Sequence, residues 1–292
     1  MRTRLRRAWT DDPTLLARVF ALLDLCFPGA ELAAKERVAR RQGARWDEIS
    51  TPFALFHEDR LVSHVGVLEH RLVVNGRVLR VGGIHAVATH PARRRRGHYR
   101  ALMEEALAWC DERYDALELS TAEPLLYEPF GFRELRESRF AGAGPGAPGR
   151  AGLRLLDLGD ARDLERLHGL LAEREPVSER LGVAEPGPIF LFVTANAPLW
   201  YVPALDAVVS LAREGGTLRL YDVVARTIPP LSALLAEIPQ AVERVEVYFA
   251  PDKLDADLVA EEHALGGDDR FMVRGAFPEP AGPFMLPAPA RH

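Results

Sequence analysis

One stretch of the chain concentrates side chains able to hold an anion. His85-Ala-Val-Ala-Thr-His-Pro-Ala-Arg-Arg-Arg-Arg-Gly-His-Tyr-Arg-Ala-Leu-Met103 joins an apolar strand-like run, a proline, four arginines, one glycine and an amphipathic segment. A helix start exposes unpaired N–H groups and a partial positive charge. Glycine lets a phosphate approach the backbone, and arginine adds bidentate contacts. The sum is a site for a phosphate or a pyrophosphate. The same run also reads as a solvated turn that merely starts a helix, or as a nucleic-acid patch built on Arg93 to Arg96. A net charge of −5 argues against the last, because one short cluster leaves a small electrostatic footprint. Past a further helix and strand stands Leu126-Tyr-Glu-Pro-Phe-Gly-Phe132, which sets the phenol of Tyr127 ahead of a glycine turn. His64, His70, His90 and His98 show no metal-ligand spacing, and Cys26 and Cys110 read as core thiols, so no metal is expected.

The elements that position these residues follow from the remaining pattern. With 292 residues, 48% hydrophobic and 27% charged, one large or two small folded domains are expected. No apolar run is long enough to span a membrane, and the arginine-rich start from Met1 to Thr10 lacks the apolar core of a secretory signal. A reducing, cytoplasmic setting without a membrane partner is the expectation. Apolar residues at helical spacing predict helices over Pro13–Phe27 and Asp160–Glu175, and Glu31–Gln42 reads as a charged helix and Tyr99–Arg113 as an amphipathic one. Asn75-Gly76 between Arg71–Val74 and Val78–Val81 is the strongest hairpin signal, and His57–Arg60 reads as another. Strands are expected at Ala116–Ser120, Leu153–Leu158, Ala207–Leu211, Thr217–Ala225 and Val242–Ala250. Short helices fit Pro124–Phe130 and Pro229–Ile238. Ala141 to Gly149 holds no side chain larger than proline and reads as a linker. The fold class is therefore α/β with mixed sheets. A first domain is expected over 1–140, a linker over 141–150 and a second domain of similar rhythm over 151–292.

Together the two motifs resemble the GNAT superfamily of acyl-CoA-dependent N-acyltransferases. Arg94-Arg-Arg-Gly97-His-Tyr99 fits the family's pyrophosphate turn, except that Tyr99 stands where glycine or alanine is usual. Tyr127-Glu-Pro-Phe-Gly131-Phe132 fits its tyrosine-to-Gly-Phe ending. The resemblance covers about residues 3–140 and is greatest to the enhanced intracellular survival group, in which a catalytic domain precedes a degenerate GNAT-like domain and a sterol-carrier-like domain. Val223 to Pro230 carries no phosphate turn, as a degenerate domain implies, and the length leaves no room for the third domain.

The resemblance implies acetyl-CoA as cosubstrate and a small-molecule or peptide amine as acceptor, with no nucleic acid involved and homo-oligomerisation open. Arg94, Arg95, Arg96, Gly97, His98, Tyr99 and Arg100 would hold the pyrophosphate. Val87 and Ala88 would pair with the pantetheine arm and polarise the thioester, with Ala122 on the facing strand end. Tyr127 is the expected general acid, though it also reads as a packing aromatic. The strand glutamate that many members use as base is replaced by Gly82-Gly83, which leaves His85 or Glu123. His85 equally reads as a core strand histidine, and Glu123 as a helix cap. Asp24, Phe27 and Trp46 are the acceptor candidates, an acid and two aromatics suited to an amine cation. A non-catalytic acyl-CoA sensor or scaffold is the alternative function.

Overall fold

The computed structural model describes residues 3–185 and 187–292. Met1 and Arg2, at the start of the expected first domain, lie outside them. In chain order the strands are β1 Thr3–Arg6, β2 Ser50–His57, β3 Arg60–Val74, β4 Arg77–Thr89, β5 Ala116–Thr121, β6 Arg133–Leu135, β7 Ser138–Ala143 and β8 Arg154–Leu155. They continue as β9 Leu181–Val183, β10 Leu199–Val202, β11 Ala207–Glu214, β12 Thr217–Val224, β13 Arg244–Val247, β14 Val259–Glu262 and β15 Arg270–Gly275. The helices are α1 Leu15–Cys26, α2 Leu32–Arg41, α3 Trp46–Ile49, α4 His98–Asp111, α5 Ala161–Ala172, α6 Gly187–Val193 and α7 Leu231–Ala236.

The first sheet runs β1-β2-β3-β4-β5-β15-β6, with β9 paired to β3. The second runs β14-β7-β13-β12-β11-β10-β8. Both are mixed: β4–β5 and β12–β13 are parallel, and the other pairs are antiparallel. The β3–β4 hairpin closes on Asn75 and Gly76, both at positive φ (51° and 75°), as an Asn-Gly turn requires. α4 lays Leu102, Met103, Ala106, Leu107 and Cys110 on one face of the first sheet, against Val65, Val67, Ile84 and Leu117. α1 packs Leu15, Val19, Phe20 and Leu23 beside Trp46, Phe56 and Ala88. The largest apolar cluster joins the two sheets, from Leu72 and Val81 through Phe271 and Val273 to Val223, Val245 and Phe249.

The domain boundary drawn from composition does not match the fold. Residues 141–143 belong to β7, an inner strand of the second sheet between β13 and β14, with Phe140 and Ala141 buried. The glycines there serve close packing. A Cβ on Gly142 would lie 2.7 Å from the Leu258 side chain, and one on Gly144 would lie 2.2 Å from the Val242 carbonyl oxygen. In return β15, from the second half of the chain, sits between β5 and β6 of the first sheet. The strand expected over Leu153–Leu158 is reduced to Arg154–Leu155, and Pro124–Phe130 forms two 3-10 turns rather than a helix.

Arg174 pairs with Asp222 through two hydrogen bonds of 2.7 and 3.0 Å, with the side chains only 2% and 3% exposed. Removing one partner leaves a buried charge alone. Asp222→Ala is therefore expected to lower stability by about 3–5 kcal/mol in urea unfolding, far more than a surface substitution.

Candidate active site

The site begins where two strands part. β4 and β5 pair in parallel only at Gly82–Leu117 and Gly83–Glu118. Beyond Gly83, β4 continues to Thr89 alongside β3 but without β5. Ala86 interrupts the ladder at a positive φ of 51°, where the β3–β4 register shifts. Its carbonyl oxygen lies 2.9 Å from His64 Nδ1. The β5-facing backbone edge at Val87 is thus left without a strand partner, whereas the Ala88 carbonyl is turned to β3, where Ser63 Oγ donates to it at 3.0 Å.

At the end of β4, His90 accepts the Ala92 N–H and opens a 3-10 turn, Pro91–Arg93. Arg95 (φ 61°) and Gly97 (φ 78°) both adopt the left-handed region, and Gly97 is the N-cap of α4. That cap supplies no side-chain acceptor, and the first turn of α4 holds no acidic residue. The first N–H groups of α4 therefore keep their positive character for an outside anion. A Cβ at Gly97 would meet nothing within 4 Å, so open space faces the turn. The Arg94 guanidinium donates to the Thr89 carbonyl oxygen at 3.2 Å, tying the turn to the strand end.

The cleft in front of this turn has a volume of about 760 Å³. It brings together most of the expected residues: Val87, Ala88, Arg94, Arg95, Gly97, His98, Tyr99, Arg100, Glu123, Tyr127 and Phe27. Cys26, Thr89, Arg93 and Leu126 also line it, unforeseen as wall residues although each adjoins a motif position. Arg96 and Ala122 are exposed outside this wall. Tyr127 is only 8% exposed, and burial pushes its phenol up to about 12, with the Thr121 hydroxyl opposing. Its ring meets Tyr99 and Phe132 edge-on at 6.2 and 6.1 Å. Tyr99, the departure from the usual small residue, donates its hydroxyl to the Leu126 carbonyl oxygen at 2.8 Å, and so braces α4 against the turn that carries Tyr127. Burial holds the His98 imidazole below its usual range, helped by His57, Arg96 and Arg93.

Three candidates fall elsewhere. His85 is not in the cleft: it is buried on the other face of β4, 2.9 Å from Ser50 Oγ through Nε2, with Trp46 edge-on at 4.9 Å. Burial holds it well below the usual histidine range. Trp46 is a core residue, packed on Phe192 at 4.4 Å as well as on His85. Asp24 accepts the Ala33 N–H at 3.2 Å, which anchors the start of α2. The expected base His85 and the expected acceptor residues Asp24 and Trp46 thus point their side chains into the core or toward a neighbouring helix.

Among described residues no helix is long and apolar enough to cross a membrane. The parted strands, the left-handed glycine turn and the adjoining tyrosine thus meet at one cleft. Residues 11–135 match the family model of an acetyltransferase (GNAT) domain, so the chain carries a GNAT acetyltransferase domain. No protein of curated function matches it. Solved structures share the fold across both sheets. A probable N-acyltransferase from Enterococcus faecalis V583 superposes with a TM-score of 0.60 at 15% identity, covering 94% of this chain and 72% of that one. A GCN5-related N-acetyltransferase from Kribbella flavida gives 0.59 at 19% identity, covering 94% and 72%. Eis1 from Mycobacterium abscessus gives 0.58 at 17%, covering 94% and 73%.

Gly97→Ala adds a methyl into open space but forces a side chain onto left-handed backbone. It is expected to fold and to lose about 1–2 kcal/mol in chemical denaturation.

Proposed function

We propose that the chain is an N-acetyltransferase that moves an acetyl group from acetyl-CoA to a primary amine by direct attack. The observation that carries this reading is that one cleft is lined both by the Gly97 turn and by the buried Tyr127 phenol. The cosubstrate's diphosphate would rest on the N–H groups of Gly97, His98 and Tyr99, with Arg94, Arg95 and Arg100 around it. Val87 and Ala88 would pair with the pantetheine arm, and one of their N–H groups would polarise the thioester oxygen.

The acceptor nitrogen then attacks the carbonyl carbon, and the C–N bond forms as the C–S bond breaks. The leaving thiolate takes the Tyr127 proton, and the resulting phenoxide is reprotonated from solvent. The ammonium formed by attack loses its proton to Glu123, directly or through water. Glu123 suits this role better than His85, because it lines the cleft whereas His85 is held in the core. Phe27, 42% exposed on the rim, offers the acceptor an apolar wall.

Tyr127→Phe is expected to lower thiol release with acetyl-CoA and a responsive amine about 10²-fold or more, with thermal unfolding unchanged. Wild-type turnover in that variant would remove the phenol from the reaction. The pH profile follows from the raised phenol. An acid with its value near 12 stays protonated across the working range, so the rate should climb as the amine deprotonates and hold to about pH 10. A decline near pH 8 in folded protein would contradict Tyr127 as the acid.

A further inference from the structure

The face of the first sheet opposite α4 buries a cluster that acyl transfer does not use. His70 on β3, Glu118 on β5 and His292 are 1%, 0% and 2% exposed at their side chains. Glu118 Oε1 lies 3.1 Å from His70 Nδ1 and 3.1 Å from His292 Nε2. One ligand-capable atom from each residue falls within 4.8 Å of the other two. Glycine makes this convergence possible: a Cβ on Gly83 would stand 2.4 Å from His292 Nε2 and 3.0 Å from Glu118 Oε1.

As a purely hydrogen-bonded trio the cluster is poorly satisfied. Two imidazoles crowd one carboxylate oxygen, while Glu118 Oε2 and His70 Nε2 have no partner among the described residues. Against its burial, the His292 imidazole is held up by pairing of Nε2 with the Glu118 carboxylate at 3.1 Å, but the contact is not directed as a hydrogen bond and both ring nitrogens lack a hydrogen-bond partner among the described residues. Buried polar atoms are seldom left so. A charge pair accounts for the contact of His292 with Glu118, but it leaves Glu118 Oε2 and His70 Nε2 unmatched, and the close N···O spacing is also that of two ligands on one ion. Ligands at about 2.0–2.1 Å from a tetrahedral zinc lie roughly 3.3 Å apart, close to the spacing here.

The geometry points to a buried site for a zinc-class divalent metal ion, formed by His70, Glu118 and His292. Two imidazoles and one carboxylate are a donor set that zinc and its first-row neighbours accept. The ion would pin the segment Phe284–His292 across the strands that carry the cleft. The adjoining Arg291 already anchors that segment, bonding Glu137 at 2.5 and 2.6 Å and Asp269 at 3.0 Å. The sequence spacing hid this set, because its members lie on three elements far apart in the chain.

The test uses untagged protein comprising residues 1–292. Metal analysis after dialysis is expected to give about one zinc per chain. Zinc is expected to raise Tm by about 5 °C over protein treated with EDTA. Cobalt(II) is expected to bind with the visible bands of a tetrahedral nitrogen–oxygen site. All three signals should vanish in the His70→Gln, His292→Gln double variant, and Glu118→Gln should weaken them. If wild-type protein takes up no stoichiometric zinc or cobalt and shows no shift, the site does not exist. That result needs no variant to fold. Undiminished binding in a folded double variant would equally overturn the assignment.

Discussion

The architecture turns on the parting of β4 from β5. Parallel strands satisfy each other's N–H and C=O groups only while they run together, and here that pairing ends at Gly83 and Glu118. Beyond that point alternate residues of β4, Val87 and Thr89 among them, turn their backbone groups to an edge without a strand partner. A buried edge of this kind is costly unless something covers it. Under the proposed function the open edge becomes useful, because the pantetheine arm of the cosubstrate would supply the missing hydrogen bonds. The cleft wall, the left-handed turn and the buried phenol all lie within reach of that opening.

Holding the parted strands apart requires material on both faces. α4 fills one face with a continuous apolar stripe, and its N-terminus arrives at the cleft because Gly97 turns the chain sharply before it. The other face is covered by the segment that ends in Arg291 and His292 and by the core shared with the second sheet. Tyr99 links the helix start to the Leu126–Tyr127 turn, so anion turn and phenol are braced as one unit. The strand exchange between the sheets, β7 outward and β15 inward, couples the second half of the chain to the geometry of the first.

Much of the cleft was legible from residue types. The Arg-Arg-Arg-Gly run before an amphipathic helix and the tyrosine before Gly-Phe each have a local physical cause, and local causes survive into the fold. So do the Asn-Gly hairpin, the helices α1, α4 and α5, whose apolar faces are buried, and the charged helix α2. What failed depended on tertiary context. Composition made Ala141–Gly149 look like a linker, yet small residues also suit strands pressed against neighbouring backbone, as Gly142 and Gly144 are. β15 carries no signal of which sheet it joins. His85 lies on a strand, but a strand presents alternate faces, and the face of His85 is the core one, while Trp46 opens the short helix α3 and packs inward on His85 and Phe192. The His70–Glu118–His292 cluster left no trace in spacing, because sheet pairing rather than sequence brings it together.

A crystal structure of the complex with acetyl-CoA bears most directly on the central claim. The account predicts the diphosphate against the N–H groups of Gly97 to Tyr99, the pantetheine along Val87 and Ala88, and the sulfur within hydrogen-bond reach of the Tyr127 hydroxyl. Cosubstrate bound away from the β4 edge, or a phenol turned from the sulfur into the core, would contradict it.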